Sequence, residues 1–222
     1  MSLKKLVDKN MPFLEPQQSV SDALSMMDEF KVSHLPVVRK ENAEYLGLVS
    51  EDDILDMDEG KSLVENVAGD LKKIFIDEDR HILEVLEVIS EEKIPFLPVL
   101  SRKEKYLGVI THQTLIDKMA EATSANQKGG IIEIETDAQN YSAALITGIS
   151  ENNSMKVMSL LTRPHGNKGI NAVIKLNGPD TSGVIQGLER YGYKVKNVYQ
   201  GDSKYSSLMK ERYDALLSYL NV

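Results

Sequence analysis

Ser50 and Asp53 stand three residues apart where the apolar run Tyr45-Leu-Gly-Leu-Val-Ser50 gives way to the acidic Glu51-Asp52-Asp53. A serine at the end of a strand and a carboxylate one helical turn later can face the same cleft. The hydroxyl, with the N–H groups left free at a helix start, is suited to phosphate oxygens. The carboxylate is a paired acceptor suited to the two hydroxyls of a ribose. An apolar wall from Leu35, Pro36 and Val37 would offer a face to an adenine ring. The same residues also have a plain structural reading, with Ser50 as a helix N-cap and the three acidic groups complementing the helix dipole.

An internal repeat positions these residues. Lys31-Val-Ser-His-Leu-Pro-Val-Val38 recurs 62 residues later as Lys93-Ile-Pro-Phe-Leu-Pro-Val-Leu100, and Tyr45-Leu-Gly-Leu-Val-Ser50 returns as Tyr106-Leu-Gly-Val-Ile-Thr111. Upstream, Val20, Ala23, Leu24 and Met27 fall at helical spacing, as do Ile82, Val85, Leu86 and Ile89. Each copy reads as helix, strand, strand, helix, with Ser50 and Thr111 at the N-cap positions of the last helix. A unit of this size buries too little alone, so the two copies must pack on each other to form one folding domain.

This arrangement resembles a tandem pair of CBS motifs, the Bateman module, over residues 4 to 121. The family pattern is hydrophobic-Pro-Val and, further on, Gly-x-x-[Ser/Thr]-x-x-Asp. The first copy supplies His34-Leu35-Pro36-Val37-Val38 and Gly47-Leu-Val-Ser50-Glu-Asp-Asp53; the second supplies Phe96-Leu97-Pro98-Val99-Leu100 and Gly108-Val-Ile-Thr111-His-Gln-Thr114. The resemblance implies an adenosine ligand (AMP, ADP, ATP or S-adenosylmethionine), with Asp53 on ribose, Ser50 and Thr111 near phosphate or ribose, and His34, Leu35 and Pro36 beside adenine. His34 has the alternative of a plain, half-buried histidine. Motif spacing favours Asp53 over its neighbour Asp52. Thr114 stands where the second copy should carry the aspartate, so one competent site per chain is expected. The resemblance also implies a homodimer, because such pairs associate into disc-like dimers through their helices.

Beyond the polar linker Thr123-Ser-Ala-Asn-Gln-Lys128 a different unit begins. Ile131, Ile132 and Ile134 mark a strand, Tyr141 to Asn152 a helix, Met155 to Leu161 and Ile170 to Leu176 two strands joined by a turn over Pro164 to Gly169. Thr181 to Tyr191 is then a helix and Tyr193 to Tyr199 a strand. The order βαββαβ is the ferredoxin-like split βαβ arrangement. Placed after a CBS pair it resembles an ACT domain, as in acetoin-utilisation-type regulators. ACT domains that bind amino acids carry Asp-x-x-Gly after the first strand. This chain has Asp137-Ala-Gln-Asn140-Tyr141, and without the glycine a close backbone approach is harder. Arg163, His165 and Lys168 concentrate cationic groups in the turn, as an anion contact or as an ordinary hairpin loop. Ser203 to Leu220 reads as an amphipathic helix through Leu208, Tyr213, Leu216, Leu217 and Leu220, packed on the body or on a dimer partner.

The expected fold class is therefore α/β (α+β), with a tandem CBS pair at 1–124 (repeats about 4–60 and 63–121), an ACT-like domain at 129–200 and a C-terminal helix at 203–222. Composition narrows the function. The 222 residues carry a formal charge of −8, which argues against nucleic acid as a partner. Residues 1–125 hold 15 Lys and Arg against 25 Asp and Glu, and 126–222 hold 11 against 9, in keeping with a boundary there. There is no cysteine, hence no disulfide or thiolate chemistry. The N-terminus lacks the apolar stretch of a signal peptide and no run reaches the length of a membrane span, so a cytoplasmic location is expected. No nucleophile–base pair, phosphate-binding glycine loop or zinc-ligand spacing is present; His81 and His112 read as structural or exposed. The expected function is regulatory rather than enzymatic: a nucleotide sensor with no metal or cofactor, whose downstream target the sequence does not name. Two alternatives are a ligand-free dimerisation module and a sensor of amino acids or small metabolites through the ACT-like domain.

Overall fold

The computed structural model describes residues 3–55, 63–64 and 71–199, and every structural statement below concerns these; the amphipathic segment from Ser203 lies outside them. The chain divides into two compact units, Met1–Lys118 and Met119–Val222.

In the first unit each copy opens with a capped amphipathic helix. Helix α1 (Val20–Phe30) starts at Ser19, whose hydroxyl accepts from the Asp22 N–H while Asp22 accepts from the Ser19 N–H. Ala23 and Met27 face its core. Helix α3 (Ile82–Glu92) repeats the device with His81 and Glu84, so His81 has a structural role as the N-cap. Both helices end on a lysine in the left-handed region, Lys31 (φ 54°) and Lys93 (φ 55°). The chain thereby turns back into the strand β1 (His34–Arg39) in copy one and β4 (Phe96–Leu100) in copy two. These pair antiparallel with β2 (Glu44–Ser50) and β5 (Tyr106–Thr111), with register shifts at the equivalent places Val37/Val38 and Val99/Leu100. Helices α2 (Glu51–Leu55) and α4 (His112–Ala122) follow directly. Preceding each first strand is a short parallel neighbour, Leu14 bridging Val37 in copy one and β3 (Ile76–Asp77) pairing with β4 in copy two.

The copies are joined by exchange. Asp8, from the lead-in to copy one, bridges Val109 on β5, and Lys72, from the lead-in to copy two, bridges Leu48 on β2. The glycines beside these bridges make the exchange sterically feasible. A Cβ on Gly47 (φ +154°) would lie 2.6 Å from Leu71 Cβ, and one on Gly108 (φ +131°) 2.3 Å from the Asp8 carbonyl oxygen. Four aromatic rings span the junction in the same crossed sense. Tyr45 and Tyr106 stack at 6.2 Å, Phe13 sits edge-on to Tyr106 and Phe75 edge-on to Tyr45.

The second unit is a four-stranded sheet with the strand order β7-β8-β6-β9, in which every neighbouring pair is antiparallel: β6 (Ile131–Asp137), β7 (Val157–His165), β8 (Gly169–Leu176) and β9 (Lys194–Tyr199). Helices α5 (Ala143–Asn152) and α6 (Ser182–Arg190) connect β6 to β7 and β8 to β9, and cover one face through Ile146, Ile149, Val184 and Leu188 against Ile132, Ile134, Ala172 and Ile174. The sequence places a turn over Pro164 to Gly169. In the structure β7 instead runs through Pro164 to His165, and only residues 166–168 lie between the strands. The reason is position: β7 is an edge strand, where proline's missing donor breaks no ladder. Tyr141 precedes α5, which is capped by Ser142, and Tyr193 lies before β9, where its hydroxyl accepts from the Ser142 N–H.

The tyrosine pair tests the junction. The Tyr45 hydroxyl donates to the Ile74 carbonyl at 2.8 Å, whereas the Tyr106 hydroxyl is buried without a partner. Tyr45→Phe is expected to cost about 1 kcal/mol. Tyr106→Phe, which removes a desolvated group that gains nothing, is expected to leave the urea midpoint unchanged or raise it. A larger loss in Tyr106→Phe than in Tyr45→Phe would refute this account.

Candidate functional site

Ser50 ends β2 and Asp53 lies in the first turn of α2, and the two close on each other. The Ser50 N–H donates to Asp53 Oδ2 at 2.8 Å, and the Asp53 N–H donates to Ser50 Oγ at 3.0 Å. This reciprocal box fixes both side chains at the mouth of the hairpin. It also realises the structural reading of the pair, and the exposed Asp53 carboxylate remains presented to solvent.

Register sets the neighbours. His34 is the strand partner of Ser50, and Pro36 of Leu48, so these four share one face of the β1–β2 hairpin. Leu35, Val37 and Val49 point the other way, into the core with Leu14, Ala23, Met27 and Ile54. This corrects the apolar wall expected from sequence. Leu35 and Val37 are fully buried and offer no free surface, because alternation along the strand puts them opposite His34. Pro36 lies on the His34 face and is itself buried. The structure thus brings together Ser50, Asp53 and His34, with Pro36 behind them, and leaves Leu35 out.

His34 is half-buried, with Nδ1 2.9 Å from Ser33 Oγ. Burial holds its imidazole below the ordinary value of 6.5; the Asp53 and Asp52 carboxylates oppose the shift, and the Lys72 ammonium adds to it. Lys72 is the residue that sequence reasoning missed. It stands in the lead-in to copy two, far from Ser50 along the chain, and reaches the copy-one face only because that segment bridges Leu48. The exchange alone carries this signal, and repeat matching does not contain it.

Copy two has the same frame with different chemistry. Phe96 is the strand partner of Thr111 and is buried, replacing His34 and Ser50. The Thr114 N–H donates to Thr111 Oγ1 at 3.2 Å and the hydroxyls lie 3.2 Å apart, but no carboxylate returns the cap. The bridging lead-in residue is Asp8 rather than Lys72. Copy one therefore combines a carboxylate, a hydroxyl, an imidazole and a nearby cation, and copy two has two hydroxyls and an acid. Among the described residues no group of three or more His, Asp or Glu could hold a metal ion, and no helix is long and apolar enough to cross a membrane.

A duplicated strand–strand–helix unit with exchanged lead-in segments and these paired corners defines a CBS pair. The CBS domain model matches residues 3–60 and 68–121, about half of the chain, and the protein belongs to that family. Among curated relatives, inosine-5'-monophosphate dehydrogenase of Halobacterium salinarum is 24% identical over 146 residues, 64% of this chain and 29% of that protein. An uncharacterized protein of Methanocaldococcus jannaschii is 26% identical over 136 residues, 60% of this chain and 50% of that one. The chain thus spans between about a quarter and a half of the curated relatives it matches. Among solved structures it is similar to a CBS domain pair/ACT domain protein from Thermotoga maritima (27% identity, 55% of this chain, 98% of that chain, TM-score 0.49). It is also similar to CBSX2 in complex with AMP (22%, 54% and 96%, TM-score 0.45).

The His34 environment has a pH consequence. With the folded value depressed, the unfolded chain binds the proton more readily. The contribution to stability is complete above 6.5 and is lost as pH falls from there through the folded value. Urea midpoints on either side of that pH should differ more in wild type than in His34→Gln. Equal pH dependence in the two proteins would show that His34 is not desolvated.

Proposed function

We propose that the protein is a regulatory sensor, not an enzyme, that binds an adenosine-containing nucleotide at the copy-one corner of its CBS pair. The observation that carries this is the locked Ser50–Asp53 box beside His34, with Lys72 brought to the same face, and the absence of that combination in copy two. Asp53 takes the ribose hydroxyls, and Ser50 with Lys72 faces phosphate. His34, with Pro36 behind it, lies against the base. Thr111 holds the equivalent corner of copy two and is secondary. AMP, ADP, ATP and S-adenosylmethionine share the required adenosine. Such a sensor works in the cytoplasm, where these nucleotides are, and the net charge of −8 speaks against nucleic acid as its partner.

The strand order β9-β6-β8-β7 with two helices on one face supports reading residues 129–200 as an ACT-like domain following a pair at 1–124. Binding changes the fit of the two copies, and the change is passed to a partner or to this domain. Homodimerisation through the helices of the pair is supported by Leu55 and Ile116, which occupy corresponding places after the two hairpins and are 64% and 61% exposed.

Two measurements test these readings. Ligand at 100 times its dissociation constant stabilises the native state by about 2.7 kcal/mol, which moves the melting temperature by several degrees. Asp53→Ala should abolish that shift and Thr114→Ala should keep most of it, each compared with its own ligand-free protein, because loss of the cap carboxylate alone costs about 0.3–1 kcal/mol. Equal shifts in wild type and Asp53→Ala would remove the site from copy one. For assembly, light scattering should give a dimer mass for wild type and a monomer mass for the double variant Leu55→Glu, Ile116→Glu; a monomeric wild type would reject the dimer.

A further inference from the structure

The helices of the second unit cover one face of its sheet, and alternation along the strands assigns the side chains of the other. Leu160, Ala172, Ile174 and Ile132 turn to the helices. Their strand neighbours Leu161, Val173 and Ile131 therefore stand on the open face. Leu161 is the direct partner of Val173 across β7 and β8, and Ile131 that of Tyr199 across β6 and β9, one row along. The four form an apolar stripe that runs diagonally from one edge strand to the other. Leu161 and Tyr199 are 48% and 52% exposed, and Val173 and Ile131 are half-buried. Both flanks of the stripe are already satisfied. On one, Ser159 Oγ donates to the Thr123 carbonyl at 2.9 Å and the buried Lys175 ammonium to the Gly129 carbonyl at 3.1 Å, so the chain leading into β6 lies against the sheet there. On the other, Lys196 pairs with Glu135 at 2.7 Å and Asn197 Nδ2 donates to Glu133 at 2.8 Å. The open face of an antiparallel sheet is ordinarily polar, and a row of large apolar side chains on it is a surface to be covered.

We propose that the stripe is covered by the C-terminal segment of the same chain, residues 203–220, which lies outside the described residues. In its sequence Tyr205, Met209, Tyr213, Leu216 and Leu220 recur at helical spacing, with Leu208 and Leu217 beside them. A single amphipathic helix of this length is marginal in water and needs an apolar surface to pack on. Tyr199 is both the last residue of β9 and one end of the stripe, so the segment starts beside the surface it needs. The four steps from Tyr199 to Ser203 reach about 14 Å at ~3.5 Å each, as far as three strand spacings of ~4.8 Å carry the sheet from β9 to β7. A helix over 203–220 would be about 27 Å long at ~1.5 Å per residue, enough to run the whole stripe. The tether decides the occupant: a segment joined to the face by so short a link acts at an effective concentration in the millimolar range, which a second copy does not match at micromolar protein. The contact lies wholly within the second unit and does not rest on the nucleotide reading.

The chain has no cysteine, so a single introduced thiol reports its own surroundings. Leu161→Cys in the otherwise native full chain should be alkylated by iodoacetamide about tenfold more slowly, or slower still, than the same variant carrying Leu216→Glu and Leu217→Glu, because the thiol reacts only while the tail is away. Val173→Cys should behave likewise, should Leu161→Cys not fold. Tyr191→Cys, 61% exposed at the end of α6, should react at one rate with either tail. Equal rates at Leu161→Cys and Val173→Cys with the two tails, or a tail effect as large at Tyr191→Cys, would overturn the proposal. A mixture separates the tail's own chain from a partner's: Leu161→Cys with the altered tail, refolded together with an excess of wild type, should stay fast. Protection regained in that mixture would place the segment on a second copy and reject the intrachain contact.

Discussion

Each copy of the CBS pair leaves an open strand edge on its second strand, and each is closed by the lead-in segment of the other copy, at Asp8–Val109 and Lys72–Leu48. An isolated copy would expose that edge together with one side of its tyrosine ring. The exchange therefore makes the two copies one folding unit. It also requires glycine at both contact points, since any side chain at Gly47 or Gly108 would overlap the incoming segment. The repeated Gly in Tyr-Leu-Gly is thus explained by close approach of backbone rather than by a turn.

The same exchange breaks the symmetry that the duplication creates. The hairpins, their bulges, the αL lysines and the capped helices correspond almost residue for residue. What differs is what each corner receives. Copy one obtains Lys72 from its neighbour and keeps His34, Ser50 and Asp53; copy two obtains Asp8 and keeps Phe96, Thr111 and Thr114. The opposite copy thus contributes a cation to the first corner and a carboxylate to the second.

Much of the first unit was legible because a repeat tests itself. A helix stripe or a Pro-Val strand is ambiguous once, but finding Val20, Ala23, Leu24 and Met27 again as Ile82, Val85, Leu86 and Ile89 fixes the period. The local chemistry of the Ser50–Asp53 corner was legible too, since a serine and an acid at that spacing form a box from near neighbours alone. Two things were not. The side on which Leu35 lies depends on the pairing of His34 with Ser50, a register that composition does not give. Lys72 depends on a contact between Leu48 on β2 and a segment that lies beyond α2 in the chain. In the second unit the error at Pro164 has a similar origin. Proline is tolerated within an edge strand such as β7, and edge position is a property of the sheet order that local sequence does not give.

A ligand can shift the two copies relative to one another only to the extent that it binds their alternative arrangements with different affinity. A site built from one copy alone would not meet that condition, because it would move as a rigid body. In the proposed sensor the copy-one corner would meet it. Ser50, Asp53 and His34 belong to one hairpin and its following helix, whereas Lys72 is carried by the lead-in to the other copy, and that lead-in continues through Ile74 and Phe75 to the tyrosine junction. A phosphate held between Ser50 and Lys72 would draw on both copies at once. The strand bridge at Leu48, the hydrogen bond from Tyr45 to Ile74 and the ring contact of Phe75 would then all report the same displacement, and this continuity of bonded chain gives the proposed sensor a physical route from site to junction.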